Sequence, residues 1–280
     1  MILSVNFHVW ASCNMKCKYC FATFQDIKQH SPLTKSSALQ IVEQLAEIGF
    51  KKITFVGGEP TLSPWLSDLL EKAKSCGLTT MITTNGTNLT EQFLNENQQY
   101  LDWIGLSIDS LKASTNIAIG RALHGTTPTT EKEYRQLIDN INRYGYKLKI
   151  NTVVNQENYS ESLANFIQYA NPSRWKTFQV LPIRGQNDQH IHSLTVSEEQ
   201  FKTFLHTNSS ISDKIQIVPE TNEQMKGSYA MVDPIGRFFE NASGYHKYSR
   251  PILDIGARLA IQQMDYSFSK FINRGGMYRW

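Results

Sequence analysis

Apolar residues along the chain follow two alternating patterns: short runs rich in β-branched and aromatic residues, and longer stretches with a helical period. The strand-like runs cover residues 2–9, 51–56, 78–84, 102–108, 148–154 and 175–181. Helical patterns fall between them, near 35–48, 65–76, 90–99, 131–144 and 160–170. This alternation predicts an α/β fold with a parallel sheet and right-handed crossovers.

The number of repeating units limits the architecture. Six units without a clear seventh or eighth predict a partial (β/α)6 TIM-like barrel, with its active site at the carboxyl ends of the strands. The rhythm is lost after residue 185, where a helix near 197–206 is followed by segments that we interpret as loops. We therefore predict a barrel core over 1–185 and a C-terminal extension over 186–280 that caps the same active site.

Charge and hydropathy narrow the function classes. The chain has 28 Lys and Arg against 25 Asp and Glu, a net charge of +3, and no run of five like charges. This composition does not favour a nucleic-acid or membrane-surface partner, so any anion site must be a local cluster of cations. No apolar run approaches the ~20 residues that span a bilayer, and the first residues lack the features of a secretory signal. We expect a cytoplasmic protein.

Three of the four cysteines, Cys13, Cys17 and Cys20, form the pattern C-x-x-x-C-x-x-C directly after the first strand. In a reducing compartment such clustered thiols are typical metal ligands. One interpretation is a structural zinc site, which requires a fourth ligand such as His8 or His30. The other is a [4Fe–4S] cluster, in which three thiolates leave one iron open to another ligand. The fourth cysteine, Cys76, is expected to be a small buried side chain.

The end of the second strand carries Gly57, Gly58 and Glu59. Two glycines allow the backbone to approach a ligand closely, and Glu59 offers an acceptor for an ammonium group. On its own this sequence is also a common turn.

Two later strands carry polar residues on one face. Lys149 and Asn151 alternate with apolar residues, and Arg174 and Lys176 lie opposite Trp175. If these faces point into the barrel, they form a pocket for a polyanion; the alternative is that they point outward and are solvated. Arg121, after the fourth strand, adds a further cation.

The cysteine spacing, with Tyr19 before the last cysteine and Phe21 after it, resembles the radical S-adenosylmethionine (radical SAM) enzymes. The resemblance implies a [4Fe–4S] cluster on the three cysteines, with S-adenosyl-L-methionine bound through its amino and carboxylate groups to the open iron. It also implies that Gly57, Gly58 and Glu59 form the cofactor-amine site. Asn85 and Ser107, at the ends of the third and fourth strands, fall where that family places further cofactor contacts.

The match narrows to the viperin family, the radical nucleotide dehydratases of antiviral immunity. The segments that carry this resemblance span nearly the whole chain: SVNFH, IGR at 119–121, KIN at 149–151, RWKTFQ at 174–179, VPETNEQMKGSY at 218–229, ILDIG at 252–256 and RGGMY at 274–278.

This resemblance implies a ribonucleoside triphosphate substrate. Its phosphates would be held by Arg121, Lys149, Lys176 and Lys226, with Arg121 alternatively serving the cofactor carboxylate. Asn6 and Asn151 would contact sugar or base, and the full substrate-binding set is Asn6, Arg121, Lys149, Asn151, Arg174, Lys176, Asn222 and Lys226. Tyr229 resembles the family's hydrogen donor, and we assign Tyr229 and Lys149 as catalytic.

The implied reaction begins when a 5′-deoxyadenosyl radical abstracts the C4′ hydrogen of the nucleotide. Loss of the 3′-hydroxyl as water, with one electron and one proton, leaves a C3′=C4′ double bond. The product lacks the hydroxyl that polymerases extend and acts as a chain terminator. The resemblance to the prokaryotic members of the family implies a role in phage defence. We expect flavodoxin or ferredoxin as electron donor and a monomeric enzyme.

Two alternatives remain. Other radical SAM enzymes act differently on nucleotides, for instance in GTP cyclisation, but those carry a second cysteine cluster near the C-terminus and this chain has no cysteine after Cys76. The second alternative is a zinc-bound nucleotide-binding module without catalysis.

The aromatic and basic segment 236–250 is interpreted either as a substrate lid or as a surface connection. Arg279, before Trp280, departs from the acidic C-terminal tail of animal viperins.

Overall fold

The computed structural model describes residues 3–27, 29–211 and 215–280. Within them, ten strands form one sheet in the order β10-β9-β8-β1-β2-β3-β4-β5-β6-β7. The strands are β1 Ser4–Trp10, β2 Lys52–Gly57, β3 Thr79–Thr84, β4 Trp103–Ser107, β5 Lys147–Val154, β6 Arg174–Gln179, β7 Gln216–Glu220, β8 Ala230–Val232, β9 Arg237–Glu240 and β10 Lys247–Pro251.

The six predicted strands are confirmed, each within two residues of its predicted bounds, and neighbours along the chain pair in parallel. Their alternate residues, such as Phe7, Phe55 and Ile150, are fully buried in the core between the sheet and its helices. The opposite residues face the inside of the curved sheet. Because the strand order has two ends, β10 and β7, the sheet is a partial barrel.

The helices lie between the strands as predicted. They are α1 Lys35–Glu47, α2 Leu66–Ser75, α3 Glu91–Glu96, α4 Ala113–Ala118, α5 Glu131–Arg143, α6 Ala164–Ala170, α7 Asp188–Leu194, α8 Glu198–Thr207, α9 Asn222–Met225, α10 Ile252–Ile255, α11 Ala257–Ile261 and α12 Phe268–Asn273. Side-chain caps fix several starts, including capping boxes from Thr130 to Glu133 and from Ser197 to Gln200. Cys76 is half-buried rather than buried, because α2 ends one residue before it.

The prediction of loops after residue 206 is wrong. β7 pairs in parallel with β6, β8 pairs in parallel with β1 on the other side of the sheet, and β9 and β10 continue it as an antiparallel hairpin. These strands have three to five residues, too few to show a periodic pattern, and Pro219 is placed where only an edge strand tolerates it. The segment 236–250 is largely this hairpin.

In the part of the chain that the structure describes, no helix is long and apolar enough to cross a bilayer.

Candidate active site

The three cysteines lie on a loop, residues 11–20, that follows β1 at the carboxyl edge of the sheet. The end of β2 holds this cysteine loop from one side: the Gly58 N–H donates to the Trp10 carbonyl at 2.6 Å, and the Glu59 N–H donates to the Ser12 carbonyl at 2.9 Å. A Cβ atom on Gly58 would lie 2.3 Å from the Ser12 oxygen. The close approach that the sequence predicted for Gly57 and Gly58 is therefore made to the backbone of the cysteine loop.

A second segment, 119–123, holds the loop from the other side. The Lys16 N–H donates to the Gly120 carbonyl at 3.2 Å, and the Lys18 N–H donates to the Ile119 carbonyl at 2.9 Å. Gly120 has a φ of +75°, and a Cβ there would lie 2.2 Å from the Lys16 oxygen. Because this pairing resembles a short β-ladder, loop side chains alternate: Met15 and Tyr19 are buried, Cys17 is half-buried, and Lys16 and Lys18 are exposed.

The three thiols are close enough to affect one another's ionisation. Burial, with a contribution from the Cys17 thiol, raises the pKa of Cys13 to about 11 and that of Cys20 to about 12. Burial also raises the pKa of Cys17, against the effect of the Arg121 guanidinium, whose Nη1 lies 3.9 Å from its Sγ. Since metals bind thiolates, this donor set fits a ligand that brings its own positive charge.

The arrangement suits a cluster better than a single ion. Across residues 3–27, 29–211 and 215–280, no three His, Cys, Asp or Glu side chains converge on a single-ion site. The thiolates of a cubane bind different irons and are spaced more widely than the ligands of one zinc. Neither proposed fourth ligand joins the thiols in such a site: His30 is exposed, and His8 packs between Phe24 and Phe239, where burial lowers its pKa to about 3.

Arg121 lies beside the cysteine loop. Its Nη2 donates to the Ser107 carbonyl at 2.5 Å, its Nη1 donates to the Tyr19 hydroxyl at 3.3 Å, and its Nε is 3.5 Å from Asp109 Oδ2. The Tyr19 hydroxyl also donates to Asp109. Arg121 and Ser107 are thus brought together next to Cys17. This location fits the cofactor role of Arg121 better than the phosphate role.

Glu59 and Asn85 support the same loop. The Glu59 carboxylate, 1% exposed, accepts from the Thr61 N–H and hydroxyl, from the Thr84 hydroxyl and from the Asn85 N–H. One acceptor position of Oε2 remains for a cofactor ammonium. The Asn85 amide donates to Asn14 Oδ1 at 2.7 Å and so reaches the cysteine loop directly.

The polar faces of β5 and β6 point into the barrel. Trp175 packs with Phe204 on the helix side, which directs Arg174 and Lys176 inward, where they are 1% and 3% exposed. They join a group that we call the cation cluster: Lys52, Lys149, Arg174, Lys176 and Arg274. The cluster lies deeper than the cysteine loop, because Lys52 and Arg174 are the first residues of their strands.

Glu220 at the end of β7 partly neutralises the cation cluster. It pairs with Lys176 and lies 3.4 Å from Arg274 Nη1. The Tyr229 hydroxyl donates to Glu220 and accepts from Lys176 at 3.0 Å, while the Arg274 guanidinium stacks 3.5 Å from the ring centre. The predicted catalytic tyrosine is therefore fixed at the edge of the cluster.

Lys149 is the member of the cation cluster whose positive charge has the fewest partners. Among the described residues its ammonium makes no hydrogen bond or ion pair, and burial together with repulsion from Arg174 and Arg274 lowers its pKa to about 7. Two nearby polar atoms, Asn151 Oδ1 and Arg174 Nε, are buried without a protein partner among those residues. These groups have unused capacity for a ligand.

Sequence reasoning missed Lys52, Arg274 and Tyr278. The alternation of β2 could have identified Lys52, which shares a face with Thr54 and Val56. Arg274 and Tyr278 lie in the non-periodic C-terminal segment: the Tyr278 ring lies 4.1 Å from the Arg174 guanidinium, and its hydroxyl accepts from Lys52.

Three predicted substrate residues form no hydrogen bond or ion pair with the cation cluster in the described part of the chain. The Lys226 ammonium pairs with Glu223 at 2.9 Å on the surface. Asn222 begins α9, with its Oδ1 buried and unpartnered among the described residues, and Asn6 is half-buried on β1 beside Thr54. Their roles in substrate binding stay predictions.

Comparison with known proteins identifies the family. The sequence pattern of the Radical SAM superfamily matches residues 8–170. The S-adenosylmethionine-dependent nucleotide dehydratase of Flammeovirga pacifica is 52% identical over 284 residues, covering 100% of this chain and 97% of that protein. The enzyme of the same name from Lacinutrix mariniflava is 54% identical over 283 residues; the match covers 100% of this chain but only 59% of that longer protein. The S-adenosylmethionine-dependent nucleotide dehydratase RSAD2 of Oncorhynchus mykiss is 35% identical, and the match covers 99% of this chain and 80% of that protein.

Solved structures share the fold at low sequence identity. Streptococcus suis SuiB bound to S-adenosylmethionine superposes with a TM-score of 0.64 at 18% identity, covering 84% of this chain and 59% of that one. The structure of anSMEcpe with bound AdoMet and the Kp18Cys peptide superposes with a TM-score of 0.68 at 14% identity, covering 92% of this chain and 80% of that one. The fold, the cysteine loop and the full-length relatives agree: the chain belongs to the radical SAM superfamily and, within it, to the S-adenosylmethionine-dependent nucleotide dehydratases.

Proposed function

We propose that this chain removes water from a ribonucleoside triphosphate to give the 3′-deoxy-3′,4′-didehydro nucleotide, a chain terminator used against phage. The observation that carries the proposal is the cation cluster below the cysteine loop. Four buried cations and the half-buried Lys149 gather there around one carboxylate, Glu220, which pairs only with Lys176 and Arg274 among the described residues.

The charge imbalance defines the ligand class. Glu220 serves Lys176 and Arg274, whereas Lys52, Lys149 and Arg174 form no ion pair among the described residues. Buried like charges repel, and an anion of comparable charge relieves that repulsion and favours their charged forms. A triphosphate supplies that charge, and guanidinium and ammonium groups are its usual ligands.

The depth of the cation cluster orients the substrate. With the phosphates near the amino ends of β2 and β6, the ribose extends toward Tyr229 and the cysteine loop. When bound on Cys13, Cys17 and Cys20, the [4Fe–4S] cluster and S-adenosylmethionine supply a 5′-deoxyadenosyl radical by one-electron cleavage of the sulfonium. The polar wall of the barrel holds C4′ toward that source and keeps bulk water out.

The nucleotide then loses its C4′ hydrogen atom and its 3′-hydroxyl. The hydroxyl leaves as water after taking up one electron and one proton, and a C3′=C4′ double bond forms. Tyr229, hydrogen-bonded to both Lys176 and Glu220, is the hydrogen donor at this end of the pocket. Lys149 binds phosphate, and the bound anion favours the charged form of its ammonium.

The test is anaerobic turnover of the reconstituted enzyme with S-adenosylmethionine and dithionite, offering CTP, UTP, GTP and ATP separately. Mass spectrometry should find deoxyadenosine and, from at least one triphosphate, a nucleotide lighter by one water. The corresponding monophosphate should react far less, since it reaches fewer members of the cation cluster. Cys17→Ala should form neither product.

Deoxyadenosine without a dehydrated nucleotide would leave a radical SAM enzyme with a different reaction. Colourless reconstituted protein that binds stoichiometric zinc, holds no iron and forms neither product would favour the non-catalytic module instead.

A further inference from the structure

The outer face of the cysteine loop presents a positively charged surface that the proposed reaction leaves without a role. Lys16 and Lys18 flank Cys17 in the sequence and, because the loop pairs with 119–123 like a β-strand, their side chains point to solvent while Cys17 points inward. Among the described residues neither ammonium forms an ion pair. The thickness of one strand separates these cations from the Cys17 sulfur.

An exposed apolar residue lies next to the two lysines. Ile117 is 45% exposed in the last turn of α4, and its carbonyl accepts from the Gly120 N–H, the residue that braces Lys16. Lys112 precedes the same helix with its side chain 67% exposed. The surface, which we call the loop face, is therefore Lys16 and Lys18 together with the exposed Ile117 of the segment that braces their backbone.

The neighbouring acids pair with other cations and leave Lys16 and Lys18 without an ion pair among the described residues. Asp109 is 1% exposed and is held inside by Arg121 and Tyr19. Glu161 is buried among Ser110 and Thr115, with Lys112 3.6 Å away as its only cation among the described residues. Two unpaired surface lysines suit a weak, salt-dependent contact with an acidic partner.

We propose that the loop face is the docking site for a small acidic protein that carries one electron at a time. This inference rests on the proposed function, in which each turnover consumes two electrons: one for cleavage of the cofactor and one for the dehydration. In each transfer the carrier is oxidised by one electron and the cluster reduced by one, with no bond made or broken at the interface. The lysines attract the acidic carrier, and the short path through the loop brings it near the cluster.

The location also separates the carrier from the substrate. The cation cluster and Tyr229 lie inside the barrel, on the opposite side of the cysteine loop from Lys16 and Lys18. A carrier on the loop face therefore does not contact the cation cluster that holds the nucleotide in the proposed function.

The experiment compares two reductants in the reconstituted full chain. Lys16→Glu/Lys18→Glu is assayed for deoxyadenosine formation with dithionite and with reduced flavodoxin at low ionic strength. The control, Lys51→Glu/Lys202→Glu, makes the same change in net charge at two exposed lysines away from the loop. We expect dithionite-driven rates to match the wild type in both variants, and kcat/KM for flavodoxin to fall about tenfold or more in the loop variant alone. Added salt should lower the wild-type flavodoxin rate and leave the loop variant nearly unchanged.

Equal flavodoxin dependence in the loop variant and the control would overturn the inference. If dithionite activity and iron content also fell in the loop variant, the neutral variant Lys16→Gln/Lys18→Gln would be assayed in the same way. Full dithionite activity with weaker use of flavodoxin in this variant supports docking. Loss of both the dithionite and the flavodoxin activity assigns the lysines to loop structure or cluster loading and overturns the inference. Wild-type protein that forms no dehydrated nucleotide with dithionite contradicts the proposed function instead, so the two failures are distinguishable.

Discussion

The cysteine loop lies at the carboxyl edge of the sheet and the cation cluster deeper in the barrel, and the two differ in how completely the protein satisfies their polar groups. Around the loop, Glu59 accepts four hydrogen bonds, Arg121 has three polar partners, and Asn85 joins Asn14. In the cation cluster, Lys149 has no partner among the described residues, and the one carboxylate, Glu220, pairs with two of the five cations.

The difference indicates two kinds of site. The loop is held by backbone contacts and paired side chains, so its shape does not depend on its ligand. The cation cluster is electrostatically incomplete, and a bound polyanion removes repulsion that the protein leaves in place. Damage to the loop should therefore abolish cofactor chemistry outright, whereas changes in the cation cluster should alter affinity by graded amounts.

The largest effect is expected from Gly120→Ala. An L-residue in the left-handed region costs ~1–2 kcal/mol, and here the new methyl would also lie 2.2 Å from the Lys16 carbonyl oxygen, so the cysteine loop must move. We expect nearly complete loss of bound iron and of deoxyadenosine formation, measured after anaerobic reconstitution.

Gly125→Ala is the matched control, because Gly125 also has a positive φ, of +85°, but no atom lies within 4 Å of its added Cβ. It should keep the iron–sulfur cluster. Normal iron content in Gly120→Ala would show that the loop tolerates movement and would contradict its description as preformed.

Removal of one uncompensated cation should have a smaller, graded effect. Lys149→Ala deletes a charge-assisted contact of ~1.5–3 kcal/mol, which corresponds to about tenfold to a hundredfold weaker triphosphate binding. Iron content should stay normal, since Lys149 contacts no part of the loop. Calorimetric titration measures the affinity, with Lys202→Ala, an exposed lysine on α8, as control. Unchanged triphosphate affinity in Lys149→Ala would contradict the interpretation of the cation cluster as a polyanion site.

The lowered pKa of Lys149 predicts proton uptake on binding. In the free protein this pKa is about 7, so at pH 8 the side chain is mostly neutral. A bound triphosphate raises the pKa, so Lys149 should take up about 1 proton on binding at pH 8 and almost none near pH 6, where it is already charged. Titration in buffers of different ionisation enthalpy measures the total uptake, and Lys149→Met should lower it at pH 8 by this share; burial also lowers the pKa values of Lys52 and Lys176, which keep their own contribution. Equal uptake in that variant would assign the proton to another group.

The same pKa fixes the sign of a stability effect. A lysine whose folded pKa is below its unfolded value of about 10.5 destabilises the free protein while it is charged, so this cost lessens as pH rises above about 7. Nucleotide should offset the cost at neutral pH.

The parts of the site that could be predicted from sequence depend on local pattern. The cysteine spacing and the alternation in β5 and β6 located the thiols, Lys149 and Lys176, because strand periodicity alone decides which face a residue occupies. The need for glycine at Gly58 was also predictable. Its partner was not, since whether a ligand or a neighbouring loop approaches is decided by tertiary packing.

The remaining parts depend on contacts between distant segments. Arg274 and Tyr278 reach the cation cluster from a tail without periodicity, and β8 to β10 are too short to carry a pattern. Lys52 was accessible to the alternation argument, but two adjacent lysines before a strand resemble a solvated strand start. Pairing of Lys226 with Glu223 could not be read from a motif, although the i,i+3 spacing on a helix permits it.

The smallest effect is expected from changes at Tyr278, which contacts two members of the cation cluster, Lys52 and Arg174. Its hydroxyl accepts from Lys52, and its ring lies against Arg174. Tyr278→Phe removes one hydrogen bond worth ~0.5–1.5 kcal/mol and keeps the ring, so triphosphate affinity should fall about two- to tenfold. Tyr278→Leu, which also removes the ring under Arg174, should lose more. The matched control is Tyr169→Phe, which removes a hydroxyl that donates to Asp139 at 2.6 Å on the surface. This change should leave the affinity for triphosphate unchanged. If both Tyr278 variants bound triphosphate like the wild type, the cation cluster would be positioned by its strands alone, and the C-terminal segment would have no part in substrate binding.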